Sequence, residues 1–141
     1  GADYVVATSE EDLPKRVADI TGGKGANIIF DPVAGPYVET LCEAAAQNAT
    51  VFIYGLLDFR PTPFPMLSAF QKGFSMRAYV LFALTGDAQA LERAKRYIYE
   101  GLRSGALKPI IDERRFTLDQ IADAHRYMEG NTQFGKIVVK V

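Results

Sequence analysis

The chain has 141 residues, a size that suits one domain, and its 48% apolar content is enough for an ordinary core, which excludes a disordered tail. Its 16 basic and 17 acidic residues give a net charge of −1 with no basic stripe, which argues against a nucleic-acid partner. One histidine and one cysteine exclude a disulfide within the chain and a structural zinc site of the usual four ligands.

The chain opens on Gly1-Ala2-Asp3 and runs directly into Tyr4-Val5-Val6-Ala7. So abrupt a start reads as a processed or proteolysed chain, and no signal peptide is expected. Tyr4–Ala7 has β-forming residues without polar alternation, so the pattern predicts a strand buried on both faces. Ser9 is placed to cap the following helix, and Glu10, Glu11 and Asp12 suit its positive end. Leu13, Val17 and Ile20 mark one apolar helix face, Pro14 falls in the first turn, and Gly22-Gly23 stop the helix.

Residues 27–31 form a second buried strand, ended by Pro32 and turned by Ala34-Gly35-Pro36. Val38, Leu41, Cys42 and Ala45 give the apolar face of the next helix, with Asn48 at its close. Residues 50–54 form a third strand that stops at Gly55. Strand, helix, strand, helix, strand at short intervals predicts parallel strands joined by right-handed crossovers, with helices covering the sheet.

Residues 56–65, with Pro61, Pro63 and Pro65, read as loop, and residues 66–72 as a short helix. The apolar run from Phe74 towards Leu84 is expected to be a strand. It is far short of the roughly 18 residues of a membrane span, so no membrane partner is expected. Residues 87–103 form the longest helix, with Leu91, Ala94, Ile98 and Leu102 on one face. Residues 108–116 are extended. Thr117 and Gln120 have capping-box spacing ahead of a helix carrying Ile121, Ala124, His125 and Met128. Gly130-Asn131 stop that helix and residues 136–141 form the last strand.

Several of these pieces resemble the C-terminal part of medium-chain dehydrogenases/reductases, most closely the quinone-reductase-like branch. They are Gly1-Ala2-Asp3, the run Thr21-Gly22-Gly23-Lys24-Gly25-Ala26-Asn27, Ile29-Phe30-Asp31-Pro32-Val33-Ala34-Gly35, Leu107-Lys108-Pro109, Ala124-His125-Arg126-Tyr127-Met128, and Phe134-Gly135-Lys136-Ile137-Val138-Val139. Their order and spacing agree over the whole chain. The resemblance implies an α/β fold across residues 1–141. This would be a partial Rossmann-type, doubly wound, mainly parallel sheet lacking its first two strands, in a truncated NAD(P)-binding domain.

No G-x-G-x-x-G stands in the chain. Gly22-Gly23-Lys24-Gly25 ends a helix and precedes a strand, the reverse of what a pyrophosphate cradle requires. In the order 3-2-1-4-5-6, Tyr4–Ala7 would be strand three, two strands away from residues 27–31. Three solutions are open: strand three pairs with strand four, a second copy fills the gap, or a separate segment does.

The resemblance implies contacts to NADP or NAD in an intact parent. Thr8 would lie at the adenosine end. Asp31, Val33 and Gly35 would pass beside the nicotinamide ribose. Gly55 and Leu56 end the next strand, Leu81 and Phe82 lie beside the nicotinamide ring, and Asn131 is a polar contact. Each has a plainer reading as turn, helix stop or core. His125 is read as structural, on or near the buried face, because no triad partner is placed by spacing. Cys42 is read as a small core residue. Arg114 and Arg115 fit either a solvated pair or an anion contact. The parent would transfer hydride from the nicotinamide to a small-molecule substrate, a quinone or an enone, and the chain alone would be inactive. A zinc-dependent alcohol dehydrogenase parent, with no zinc site within this chain, is the alternative. A non-catalytic oligomerisation or scaffold module is another. A cytoplasmic homodimer joined through the strand from Phe74 to Leu84 is the expected assembly.

Overall fold

The computed structural model describes residues 1–141 and divides the chain into two compact units, Gly1–Asp87 and Ala88–Val141.

In the first unit, α1 (Leu13–Thr21) is followed by β1 (Ala26–Asp31), α2 (Val38–Glu43), β2 (Ala45–Ile53), α3 (Met66–Lys72), β3 (Ser75–Ala78) and α4 (Leu81–Thr85). The three strands form one parallel sheet in the order β1-β2-β3, with Asp31 opposite Ile53 and Ile53 opposite Ala78. Parallel pairing follows from the crossovers through α2 and α3. Val51, in the carboxyl half of β2, is buried with Val38 and Cys42 of α2, Ala45, Ala46, Ala49 and Phe74. Ile29, Ile53, Met76 and Ala69 complete this core. Burial pushes the Cys42 thiol up to about 11, so it stays protonated and apolar in the core.

The opposite face of the sheet has no helix in this unit. Side chains alternate along a strand, so residues between the core positions come together there. Phe30 stacks on Phe52 at 5.1 Å, Tyr54 stacks on Tyr79 at 5.8 Å, and edge contacts link the two pairs. Ile28 and Phe30 are each 59% exposed. The strand at residues 27–31, expected to be buried, is therefore covered on one side only.

Tyr4–Ala7 forms no strand, and its Val5 is 81% exposed. β1 pairs with β2 alone, so strand three does not pair with strand four. The other two solutions would lie outside a single chain. The backbone of Ala7 is instead spent locally. Its carbonyl accepts the N–H groups of Glu10 and Glu11, and its own N–H donates to the Glu11 carboxylate. The helix cap is also displaced from Ser9 to Asp12, whose carboxylate accepts the Lys15 N–H at 2.8 Å. Pro14 takes the first turn and Gly22, at φ 61°, ends the helix, as its sequence implies.

α2 stops at Glu43, five residues before Asn48. The Lys72 ammonium donates to the carbonyls of Cys42 and Glu43 and closes the helix there. Ala45 belongs to β2, whose register with β1 breaks between Ala26 and Ile28; Asn48, at φ 56°, lies in the displaced stretch. β3 ends at Ala78 because its partner β2 ends at Ile53, leaving only a bond from the Tyr79 N–H to the Ile53 carbonyl. Residues 81–84, expected to end the strand, turn instead into α4.

The second unit holds α5 (Ala88–Ser104), β4 (Ile111–Thr117), a 3-10 turn at Leu118–Gln120, α6 (Ile121–Glu129) and β5 (Lys136–Lys140). β4 and β5 form their own two-stranded parallel sheet. The capping box forms as its spacing requires, with the Thr117 N–H and hydroxyl both donating to the Gln120 side-chain oxygen. Asp112 is buried and its carboxylate accepts the N–H groups of Arg114 and Phe134 and the Tyr127 hydroxyl. The two backbone bonds hold this carboxyl below its usual range. Arg114 lies 4.3 Å over the Tyr127 ring, and Arg115 donates to the carbonyl of Asp112. Ala124, not His125, is the buried residue of α6. His125 is exposed on a shallow groove with Ile121, Met128, Ile137 and Val139.

Replacing Val51 by Ala should cost about 2 kcal/mol, because the methyl groups removed are fully buried beneath two helices. Urea unfolding followed by circular dichroism measures this, and an unchanged midpoint would contradict the assignment of the core.

Candidate functional site

The carboxyl ends of β1, β2 and β3 lie side by side on one edge of the sheet. In open α/β sheets this edge is where ligands are held. Asp31 organises it. As the last residue of β1 it is buried, and its carboxylate accepts the Val33 N–H at 2.8 Å and the Ala34 N–H at 3.0 Å. Its carbonyl accepts the Tyr54 N–H at 3.0 Å and so ties the end of β1 to the end of β2. A carboxylate holding consecutive amides fixes a turn that an apolar side chain could not.

The loop after Asp31 is tightly folded. Ala34 and Gly35 have φ of 63° and 69°, both in the left-handed region. The Val33 carbonyl accepts the Asp58 N–H at 2.9 Å, and the Gly35 N–H donates to the Thr62 hydroxyl at 2.9 Å. Gly55 meets the same loop from the other strand; a Cβ there would lie 2.1 Å from the Pro32 carbonyl oxygen. The bareness of Gly55 is thus used by this chain's own backbone.

Five of the residues singled out from the sequence come together here: Asp31, Val33, Gly35, Gly55 and Leu56. Leu81 and Phe82 follow β3 by a few residues on the same edge. They stand on the first turn of α4, not on a strand, and Phe82 is 80% exposed. Thr8 is not at a strand end, because no strand precedes it; it sits in the turn before α1. Asn131 belongs to the second unit, at φ 49° past α6, with its N–H on the Met128 carbonyl, the geometry of a helix stop.

Sequence reasoning passed over Asp58, Arg60 and Thr62, which lay in a stretch read only as loop. The Asp58 carboxylate accepts the Arg60 backbone N–H at 3.0 Å and the Arg60 guanidinium at 2.6–3.0 Å. That hydrogen bonding holds the Asp58 carboxyl below its usual range. An acidic side chain two residues before an arginine, in a proline-rich loop, was the available signal.

Chemically, this edge spends its N–H donors internally. The amides of Val33, Ala34 and Gly35 are bound to Asp31 and Thr62, so the loop offers no nest for a phosphate. What it presents is apolar: Val33, Leu56 and Leu81 are all exposed. No side-chain pair at this edge forms a nucleophile and base. The arrangement can border an apolar, uncharged group.

A family model described as zinc-binding dehydrogenase matches residues 1–139. The chain is 24% identical over 146 residues to a highly reducing polyketide synthase of Arthrinium phaeospermum, covering 98% of this chain and 6% of that protein. It is 20% identical over 141 residues to a 2-haloacrylate reductase of Burkholderia sp., covering 99% of this chain and 42% of that protein. Its fold is similar to that of an Escherichia coli quinone oxidoreductase solved with NADPH, with a TM-score of 0.82 and 23% identity, covering 98% of this chain and 44% of that one. The chain therefore spans less than half the length of these relatives.

Gly55→Ala should destabilise the first unit by about 1–3 kcal/mol, because the added methyl meets rigid backbone at Pro32. Thermal unfolding with nuclear magnetic resonance of the Tyr54 amide tests this; an unchanged midpoint and resonance would remove the close approach on which the site is built.

Proposed function

As the chain belongs to the zinc-binding dehydrogenase family, we propose that it forms the nicotinamide-facing part of an NAD(P)H-dependent reductase whose substrate is a quinone, an enone or another activated double bond. The observation that carries this reading is the carboxyl edge of the parallel sheet, where Asp31, Val33, Gly35, Gly55 and Leu56 converge on an apolar, donor-poor surface. The 2-haloacrylate reductase and the NADPH-bound quinone oxidoreductase among its relatives support the same class of chemistry.

In this reading Val33, Gly35, Gly55 and Leu56 border the nicotinamide and its ribose. Leu81 and Phe82 shield the ring from water. Thr8 lies towards the adenosine end. The bound dinucleotide supplies the hydride, and this chain's residues orient the ring. Asp31 acts through backbone: its two oxygens hold the loop and do not move a proton. Cofactor preference stays at NAD(P).

The family's description favours a second reading, a zinc-dependent alcohol dehydrogenase parent. No three His, Cys, Asp or Glu side chains gather into a group here; in this second reading the metal ligands would be supplied by the rest of the parent. Metal analysis of a longer parent protein separates the two readings. No helix is long and apolar enough to cross a membrane; a cytoplasmic setting is part of the proposal.

We also propose a homodimer joined through β3, which is an edge strand with one side unpaired. Light scattering coupled to size-exclusion chromatography should give twice the 15.5 kDa chain mass, and a strict monomer at high protein concentration would count against it. Calorimetric titration of the chain with NADPH should show a dissociation constant of about a millimolar or weaker, because no glycine-rich pyrophosphate cradle is present. Micromolar binding would overturn this division of labour.

A further inference from the structure

We infer that Asp58 is a positioning residue for the loop of residues 31–35, forming with Arg60 and Thr62 a clamp on the side of that loop that Asp31 does not hold. The inference rests on the reading of this loop as the nicotinamide end of a cofactor site.

Asp31 secures only the amides of Val33 and Ala34. The Val33 carbonyl and the Gly35 amide are held from the loop after β2, by the Asp58 N–H and the Thr62 hydroxyl. Gly35 also lies flush on the Asp58 side chain: a Cβ there would be 2.5 Å from its carboxyl carbon. All three contacts depend on the shape of the turn at residues 58–60. That turn is closed by the Asp58 carboxylate on the Arg60 backbone N–H and guanidinium.

Apolar burial does not hold this turn in place. The neighbours Leu57 and Phe59 are 75% and 85% exposed, while the Asp58 side chain is only 20% exposed. A polar residue turned inwards between two apolar residues turned outwards reverses the usual preference. The Asp58–Arg60 pair is local and half open to water, so its contribution to global stability is small. Its effect is on geometry. Ala34 and Gly35 hold left-handed backbone, which surrounding contacts must enforce. Releasing the outer clamp lets this stretch relax while Asp31 still holds its inner side.

The test uses the 141-residue chain, labelled for nuclear magnetic resonance, as wild type and as Asp58→Ala, Asp58→Asn and Thr62→Val. Two quantities are read: amide hydrogen exchange, and resonance shifts on adding reduced nicotinamide mononucleotide up to about 50 mM, well above the weak affinity expected of a site without a pyrophosphate cradle. In Asp58→Ala, exchange at Gly35 and at the amide of position 58 should be about tenfold faster, with Val33, Ala34 and the amides of β2 little changed. Mononucleotide affinity, followed at Val33 and Leu56, should fall about tenfold. Thr62→Val should accelerate Gly35 alone. Asp58→Asn keeps an acceptor for the Arg60 N–H and should recover most of both losses. Unchanged exchange in Asp58→Ala would overturn the clamp. Faster exchange with unchanged mononucleotide affinity would reduce Asp58 to a structural role and overturn the positioning one. Absence of any shift at residues 33–35 in the wild type would overturn the cofactor reading itself, and the positioning role with it, while the exchange data would still report whether the clamp exists.

Discussion

The whole site hangs on one carboxylate. Asp31 is buried at the end of β1, where an unpaired charge would be expelled, and it stays because Val33 and Ala34 turn their amides onto it. This single arrangement ends the strand, reverses the chain within a few residues and sets the path of the loop that meets Gly55. Because the Asp31 carbonyl also accepts the Tyr54 N–H, the ends of two neighbouring strands are fixed together. A loop held this way is ordered by its own contacts, which would lower the entropic cost of binding a ligand there.

The same arrangement explains what the edge declines to bind. Loops after parallel strands often offer a row of free amides to phosphate. Here those amides are consumed, and Val33, Leu56 and Leu81 stand exposed beside them. In the proposed reading the loop would border an apolar ring, and the grip on a charged pyrophosphate would come from a separate glycine-rich turn.

Much of this was legible in the sequence, and where it was not the reasons are physical. The strands around Ile29 and Val51, the proline start and glycine stop of α1, and the Thr117–Gln120 box follow from short-range rules, and they form. Tyr4–Ala7 has strand composition but no strand beside it, and composition cannot supply a partner. The run from Phe74 to Leu84 reads as one strand, yet the ladder stops where β2 does, which only register reveals. Asp58 and Thr62 escaped notice because their contacts reach back more than 20 residues to a loop that local pattern cannot locate. Leu81 and Phe82, expected on the strand from Phe74 to Leu84, begin a short helix instead.

The row of rings on the uncovered sheet face has an optical consequence. The chain has no tryptophan, so its ultraviolet emission arises from 7 tyrosines, and two of them, Tyr54 and Tyr79, are stacked face to face in that row. Whatever comes to lie over this face changes the solvent seen by a coupled chromophore pair. The molecule therefore carries its own label-free reporter of whether its second layer is in place.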